Sequence, residues 1–280
     1  MKPTTDFLTR LLSVYWFAPP VALWRAVELR TAAEETYPPP LLDLGCGDGL
    51  VARVLFDDRP VDVGMDPWMA QVRQAARSGA YRWVQQANGV QLPYPDGAFA
   101  TAFSNSVLEH IPDVRPVLRE VGRVLRPTDG RFIFTIPSDL FRRLLYFYQQ
   151  RLASGDREGA ERYAAEVDAR LEHHHYYTPQ EWAGLLAEGG MALEKARYYI
   201  PRPVEQLWDR ENAQFGIGHR SLWSLLASPR LRRAGYQRLL ARWVVRRYSR
   251  LWRPHYELDV APGEPGGGLL IVGRREAGRQ

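Results

Sequence analysis

Apolar positions along the chain recur with two different periods, and the change from one to the other divides the sequence. Phe7, Leu8, Leu11, Leu12 and Tyr15 follow a helical spacing, so residues 5–35 read as helix. The step Ala18-Pro19-Pro20 splits that stretch in two, because a Pro-Pro pair cannot continue a helix. Pro38-Pro39-Pro40 is a hard stop and marks the start of the main fold. From there short apolar runs alternate with helical patterns. Strands are predicted at 41–44, 61–66, 81–86, 100–104 and 131–136, with helices at 49–56, 68–78 and 114–125. Strands separated by helices of this length imply βαβ units and a parallel sheet covered on both faces.

Beyond Pro137 the pattern loosens. Residues 140–177 read as helical and charged. Thr178-Pro179-Gln180-Glu181 has the form of a helix start, with Thr178 as N-cap and Glu181 three residues on. Gly189-Gly190 ends that helix. A sixth strand is expected at 193–200. Residues 201–257 are mostly helical, and Gly266-Gly267-Gly268 precedes a last strand at 269–273. The pattern predicts an α/β, doubly wound, seven-stranded, mostly parallel sheet with helical insertions. Its expected parts are an N-terminal helical cap segment (1–39), a core (40–200) with a helical insertion at about 138–178, a second insertion (201–265), and the last strand and tail (266–280).

Composition adds limits. With 280 residues, 45% hydrophobic and 25% charged, the chain can bury a sizeable core. Cys46 is the one cysteine, so an internal disulfide is excluded. No apolar run approaches the roughly 18 residues that span a bilayer, and Asp6 and Arg10 interrupt any signal-peptide pattern. A cytoplasmic location is expected. The net charge of +5, almost all arginine, permits acidic partners without requiring them.

Chemistry concentrates in Asp43-Leu44-Gly45-Cys46-Gly47-Asp48-Gly49, which follows an apolar strand and opens a helix. Glycines let the backbone turn tightly and approach a ligand. A helix N-terminus offers N–H groups and a positive dipole end. The spacing is G-x-G-x-G, which differs from the G-x-G-x-x-G of dinucleotide folds and lacks the Lys of a phosphate loop. Asp66 ends the second strand, about 20 residues on, where a carboxylate can accept both ribose hydroxyls of an adenosyl group.

Five segments then occur in order: Asp43–Gly49, Val63–Asp66, Asn88–Phe99, Ser104–His110 and Leu118–Pro127. This set resembles the class I S-adenosylmethionine-dependent methyltransferases, nearest the subgroup of quinone-biosynthesis and small-molecule enzymes. The resemblance covers about residues 40–137 and implies a Rossmann-like fold and S-adenosyl-L-methionine as cofactor. It implies that Asp43, Gly45 and Gly47, with Cys46 between the glycines, face the methionine end. It places Asp66 on the ribose, Pro67, Trp68 or Met69 against the adenine, and Asn88, beside Gly89, on the adenine amino group. Asn88 stands where the family commonly has Asp, and an amide carbonyl can accept the same bond. Ser104 and Asn105 would lie beside the reactive methyl. One departure is Ala100, where the family often carries Asp.

A base is needed only if the acceptor arrives protonated. His110 is the nearest candidate by its ordinary pKa, and a packing role for it stays open. His173-His174-His175 cannot all face one point on a helix or strand. A solvated polar stretch explains the triplet, with His174 as a second candidate base. No metal site is expected. Glu211 and His219 are weaker candidates. In the late insertion, Trp208, Phe215, Trp223, Leu226, Leu239, Trp243, Val244, Tyr248 and Trp252 interleave with arginines at 230, 232, 233, 242, 246, 247 and 250. That suits a lid with its arginines in water, or a basic amphipathic helix at a membrane surface. The acceptor is expected to be small or lipid-like. No nucleic-acid module is visible, and the oligomeric state is not encoded. The alternatives are a nicotinamide-dependent oxidoreductase and a non-catalytic cofactor-binding protein at a membrane surface.

Overall fold

The computed structural model describes residues 5–57, 59–215, 236–261 and 263–276. Phe215 and residues 216–235, which hold His219, Trp223, Leu226 and the arginines at 230, 232 and 233, carry no described side chains. Two compact units are present.

The sheet unit comprises Glu35–Asp139, His173–Arg197 and Gly268–Gln280. Its strands are β1 (Leu41–Leu44), β2 (Val61–Asp66), β3 (Tyr81–Gln86), β4 (Thr101–Asn105), β5 (Arg131–Pro137), β6 (Met191–Tyr198) and β7 (Gly268–Arg275). They form one sheet in the order β3-β2-β1-β4-β5-β7-β6. The pairs β1–β2, β2–β3, β1–β4 and β4–β5 are parallel, and β5–β7 is antiparallel. The strand order reverses between β1 and β4, which makes their carboxyl edge a switch point where ligands of open α/β sheets bind.

Burial explains why these runs are strands. β1 and β4 are buried at every position and β5 at all but its first, as expected for strands covered on both faces. The edge strand β3 is half-buried at only two positions, Tyr81 and Val84, and exposed at the rest. Helices α3 (Leu50–Leu55), α4 (Met69–Ser78), α5 (Arg115–Val124) and α9 (Pro179–Glu188) belong to this unit. Thr178 and Glu181 complete the predicted capping box of α9. Tyr37, Phe56 and Phe103 meet edge-to-face, with ring centres 4.9–5.7 Å apart.

The helical unit comprises Met1–Glu34, Leu140–Glu172 and Tyr198–Gly267. It holds α1 (Phe7–Val14), α2 (Pro19–Ala32), α6 (Phe141–Leu144), α7 (Tyr146–Ala153), α8 (Arg157–Leu171), α10 (Arg202–Phe215) and α11 (Gln237–Tyr256). The Pro19-Pro20 pair that splits the N-terminal pattern occupies the first turn of α2, where a missing N–H is harmless. Three separate stretches of chain thus build one body. Trp24 of α2 meets Trp208 of α10 at 5.2 Å and Phe141 of α6 at 5.7 Å. Asp6 caps α1 and pairs with Arg253 of α11 at 2.6 Å. Glu28 is fully buried and accepts from the Tyr199 hydroxyl at 2.9 Å and Arg25 at 2.6 Å.

Several boundaries differ from the sequence reading. β4 starts at Thr101 because the amides of Ala100 and Thr101 both donate to Pro40. β6 starts two residues early, at Met191. The long helical segment ends at Leu171, because Glu172 takes a left-handed conformation (φ 57°), and the three histidines lie in irregular chain. Among the described residues no helix is long and apolar enough to cross a membrane.

Candidate functional site

At the carboxyl end of β1 the chain enters the glycine loop through Asp43, which is buried. Its Oδ2 accepts a 2.7 Å hydrogen bond from the Tyr81 hydroxyl. Burial pushes the Asp43 carboxyl up to about 7; the Tyr81 donor opposes this and the nearby Asp66 charge adds to it. Tyr81 went unnoticed in the sequence, where it reads only as the first residue of an edge strand. One signal was available. Gly64, in the middle of β2, is where the Tyr81 ring crosses, and a Cβ there would lie 2.8 Å from two ring carbons.

The loop itself is held by shape. Gly45 has φ +76°, and a Cβ on it would lie 2.6 Å from a methyl of Val107. The amides of Gly45 and Cys46 both donate to the Met65 carbonyl at 2.9 Å. The Gly47 amide donates to Asp66 Oδ2 at 3.0 Å, and Leu50, which opens α3, donates to Asp48 Oδ1 at 3.0 Å. Four amides of the loop and helix start thus meet Met65, Asp66 and Asp48. Cys46 is buried, and burial, with Asp43 and Asp66 nearby, pushes its thiol far above the ordinary range. It packs as a small apolar group.

Asp66 lies buried at the end of β2. Besides Gly47, it accepts from the Trp68 amide through Oδ1 at 2.9 Å. Each oxygen retains further lone-pair sites for a ligand hydroxyl. Pro67, Trp68 and Met69 follow it and are exposed, Trp68 at 72%. Gln86 of β3 donates to the Pro67 carbonyl at 2.9 Å and steadies this turn. Asn88 is exposed and its Oδ1 accepts from the Val90 amide, closing a local turn that includes Gly89.

Ser104 and Asn105 are held by the sheet. They stand at the end of β4 as expected, but their side chains are buried and engaged. The Ser104 hydroxyl donates to the Leu44 carbonyl at 2.9 Å, tying β4 to β1. The Asn105 amide donates to the Thr135 hydroxyl at 2.6 Å, tying β4 to β5. The next residue, Ser106, has φ +48°, a rare value outside glycine. It turns the chain so that Val107 rests on Gly45 and the single helical turn Leu108–His110 begins.

His110 lies on that turn, 4.0 Å from Glu109 and 5.4 Å, ring to ring, from His173. The three histidines diverge, as their adjacency requires. His175 is turned to the Ile111 carbonyl at 3.1 Å, stacked on Tyr177, and burial lowers its pKa. His174 is exposed and contributes its amide to the Glu109 carbonyl at 2.9 Å. Of the three, His173 is the one that meets His110. Glu211 belongs to the helical unit, on α10.

A family model described as a methyltransferase domain matches residues 42–134, the stretch from β1 into β5 that holds the glycine loop, Asp66 and the turn at His110. The chain is 35% identical over 95 residues to 27-O-demethylrifamycin SV methyltransferase of Amycolatopsis mediterranei, covering 31% of this chain and 35% of that one. It is 30% identical over 194 residues to 2-phytyl-1,4-naphtoquinone methyltransferase of Synechococcus elongatus, covering 63% of this chain and 80% of that enzyme. The chain belongs to the class I S-adenosylmethionine-dependent methyltransferases. It spans about a third of the rifamycin enzyme's length and four-fifths of the naphthoquinone enzyme's. A solved Thermotoga maritima methyltransferase, described as a possible histamine N-methyltransferase, shares the fold at a TM-score of 0.54 and 15% identity, covering 96% of this chain and 93% of that one.

The residues present fit the cofactor of this methyltransferase family. Gly47 keeps open space where a Cβ would stand. Asp43 and Asp66 end adjacent strands on either side of the loop, and exposed apolar surface at Trp68 and Met69 follows Asp66 directly.

Proposed function

We propose that the chain binds S-adenosyl-L-methionine at the carboxyl edge of β1 and β2 and transfers its methyl group to a small or lipid-like organic acceptor. The observation that carries this reading is the pair of buried carboxylates, Asp43 and Asp66, joined through the glycine loop by the Gly47 amide. Asp66 would hold the ribose hydroxyls, Trp68 or Met69 would cover the adenine, and Asn88 would meet its amino group. Asp43 would face the methionine end, whose ammonium suits a carboxylate. The cofactor supplies a methyl group already activated on a sulfonium. The chain has only to bind, orient and exclude water, and orientation alone supplies up to roughly 7–11 kcal/mol in ideal cases.

Two observations support a lipid-like acceptor. The Synechococcus relative acts on a phytyl-substituted naphthoquinone, and the match covers four-fifths of it. On α11, Leu239, Trp243 and Leu251 are exposed among Arg246, Arg247 and Arg250, a mixture suited to an anionic lipid surface reached from the cytoplasm. No relative named above supports the nicotinamide or the non-catalytic alternative.

Calorimetric titration with S-adenosylmethionine and S-adenosylhomocysteine tests the reading. Saturable binding that weakens at least tenfold in Asp66→Ala is expected. Absence of binding by the folded protein overturns it. A mass-spectrometric screen of prenylated quinones and other phenols then identifies the acceptor class.

A further inference from the structure

The turn after β4 and the irregular segment before α9 bring three potential ligands together. Glu109, His110 and His173 each offer one oxygen or nitrogen, and these atoms all lie within 4.8 Å of one another. Glu109 Oε1 and His110 Nε2 are 4.0 Å apart. The rings of His110 and His173 lie 5.4 Å apart at 54°.

Two features set this cluster apart from a chance gathering of surface histidines. First, Glu109 is 2% exposed. A carboxylate this buried is packed in one position rather than sampling many in water. Second, the two segments are fastened in register. The His174 amide donates to the Glu109 carbonyl at 2.9 Å, and His175 meets the Ile111 carbonyl at 3.1 Å. His173 is also oriented from behind, with Nδ1 2.9 Å from the Tyr176 hydroxyl. Metal-binding histidines are commonly fixed in this way through their second nitrogen.

We propose that Glu109, His110 and His173 form a binding site for one divalent first-row transition ion of the zinc or cobalt type. Two imidazoles and a carboxylate are a donor set that such ions accept, and three protein ligands leave positions for water or another oxygen. Ligands about 2.0–2.1 Å from a tetrahedral ion lie roughly 3.4 Å apart. Atoms lying within 4.8 Å of one another must therefore close by at most roughly 1.4 Å. The His110 side chain, 41% exposed, has room to make that shift. The site does not depend on methyl transfer and would stand if no S-adenosylmethionine bound.

The test uses the full chain, stripped with a chelator and dialysed. Cobalt(II) is titrated in while its visible absorption is followed, and zinc is then added in competition. One saturable cobalt site, displaced by zinc, is expected. His110→Ala and His173→Ala, which alter side chains that are not fully buried, should each weaken cobalt binding at least tenfold, and Glu109→Gln should do the same if it folds. His174→Ala should bind as the parent does. Absence of saturable binding, binding that survives loss of His110 and His173 together, or equal loss in His174→Ala overturns the proposal.

Discussion

The hydroxyl of Tyr81, on β3, reaches across the whole of β2 to donate to Asp43 on β1 at 2.7 Å. The ring passes over Gly64, which is paired in register with Asp43 on one side and Val84 on the other. Burial, and then the Asp43 charge, hold the Tyr81 phenol above its ordinary pKa, so it stays a donor.

Tyr81→Phe removes the hydroxyl that this buried carboxyl receives from β3. The change should cost about 1–3 kcal/mol and raise the Asp43 pKa further. Chemical denaturation measures the first, and NMR titration of the Asp43 carboxyl measures the second. A stability and a titration both equal to the parent's would show that the bond contributes nothing.

Asp43 also sets a pH dependence with a definite sign. Its folded pKa of about 7 lies above that of an ordinary carboxylate, raised chiefly by burial. The folded state therefore binds the extra proton, and this contribution to stability is present at low pH and lost as pH rises from about 4 through 7. At about 1.4 kcal/mol per pKa unit, the upper bound is about 4 kcal/mol. Asp43→Asn should flatten that part of the profile. The stability difference between parent and variant, followed by denaturation between pH 4 and 8, checks it; a difference independent of pH would contradict the assignment.

Gly64→Ala places a Cβ about 2.8 Å from the Tyr81 ring. Overpacking of this kind costs about 1–3 kcal/mol. The cost should largely vanish in the Tyr81→Ala background, because the two residues share one space. Additive losses in the double-mutant cycle would rule out the contact.

Ser104→Ala separates a scaffold role from ligand contact. With its hydroxyl given to Leu44, the substitution should lower stability by about 1–2 kcal/mol. Calorimetry should show S-adenosylmethionine affinity changed less than about tenfold, that is by under about 1.4 kcal/mol. A larger drop in affinity at unchanged stability would show that the Ser104 hydroxyl contacts the cofactor.

The strands and most helix boundaries were legible because their signals are local. Apolar runs such as Leu41–Leu44 and Phe132–Ile136 can be buried only inside a covered sheet. Asp43, the glycines and Asp66 were legible because loop spacing is a matter of sequence. What was hidden depends on partners far along the chain. Nothing in the run at 269–273 says that it pairs antiparallel with β5. Ser104 reads as a strand-end hydroxyl, and only the position of Leu44 shows that it is spent. His173 meets His110 only because Glu172 breaks a helix that the charged pattern alone would continue. The helical unit, drawn from three stretches, has no signature in any one of them.

The placement of β7 has a consequence for synthesis. It lies between β5 and β6, yet among the described strands it comes latest in the chain. Until residues 268–275 emerge, the backbone N–H and C=O groups on that side of β5 have no strand beside them. Well over a hundred residues must be translated while that sticky margin waits, because β5 ends at Pro137 and β7 begins at Gly268. Exposed strand edges in nascent chains invite mispairing. That side of β5 stays open to mispairing until β7 fills the gap.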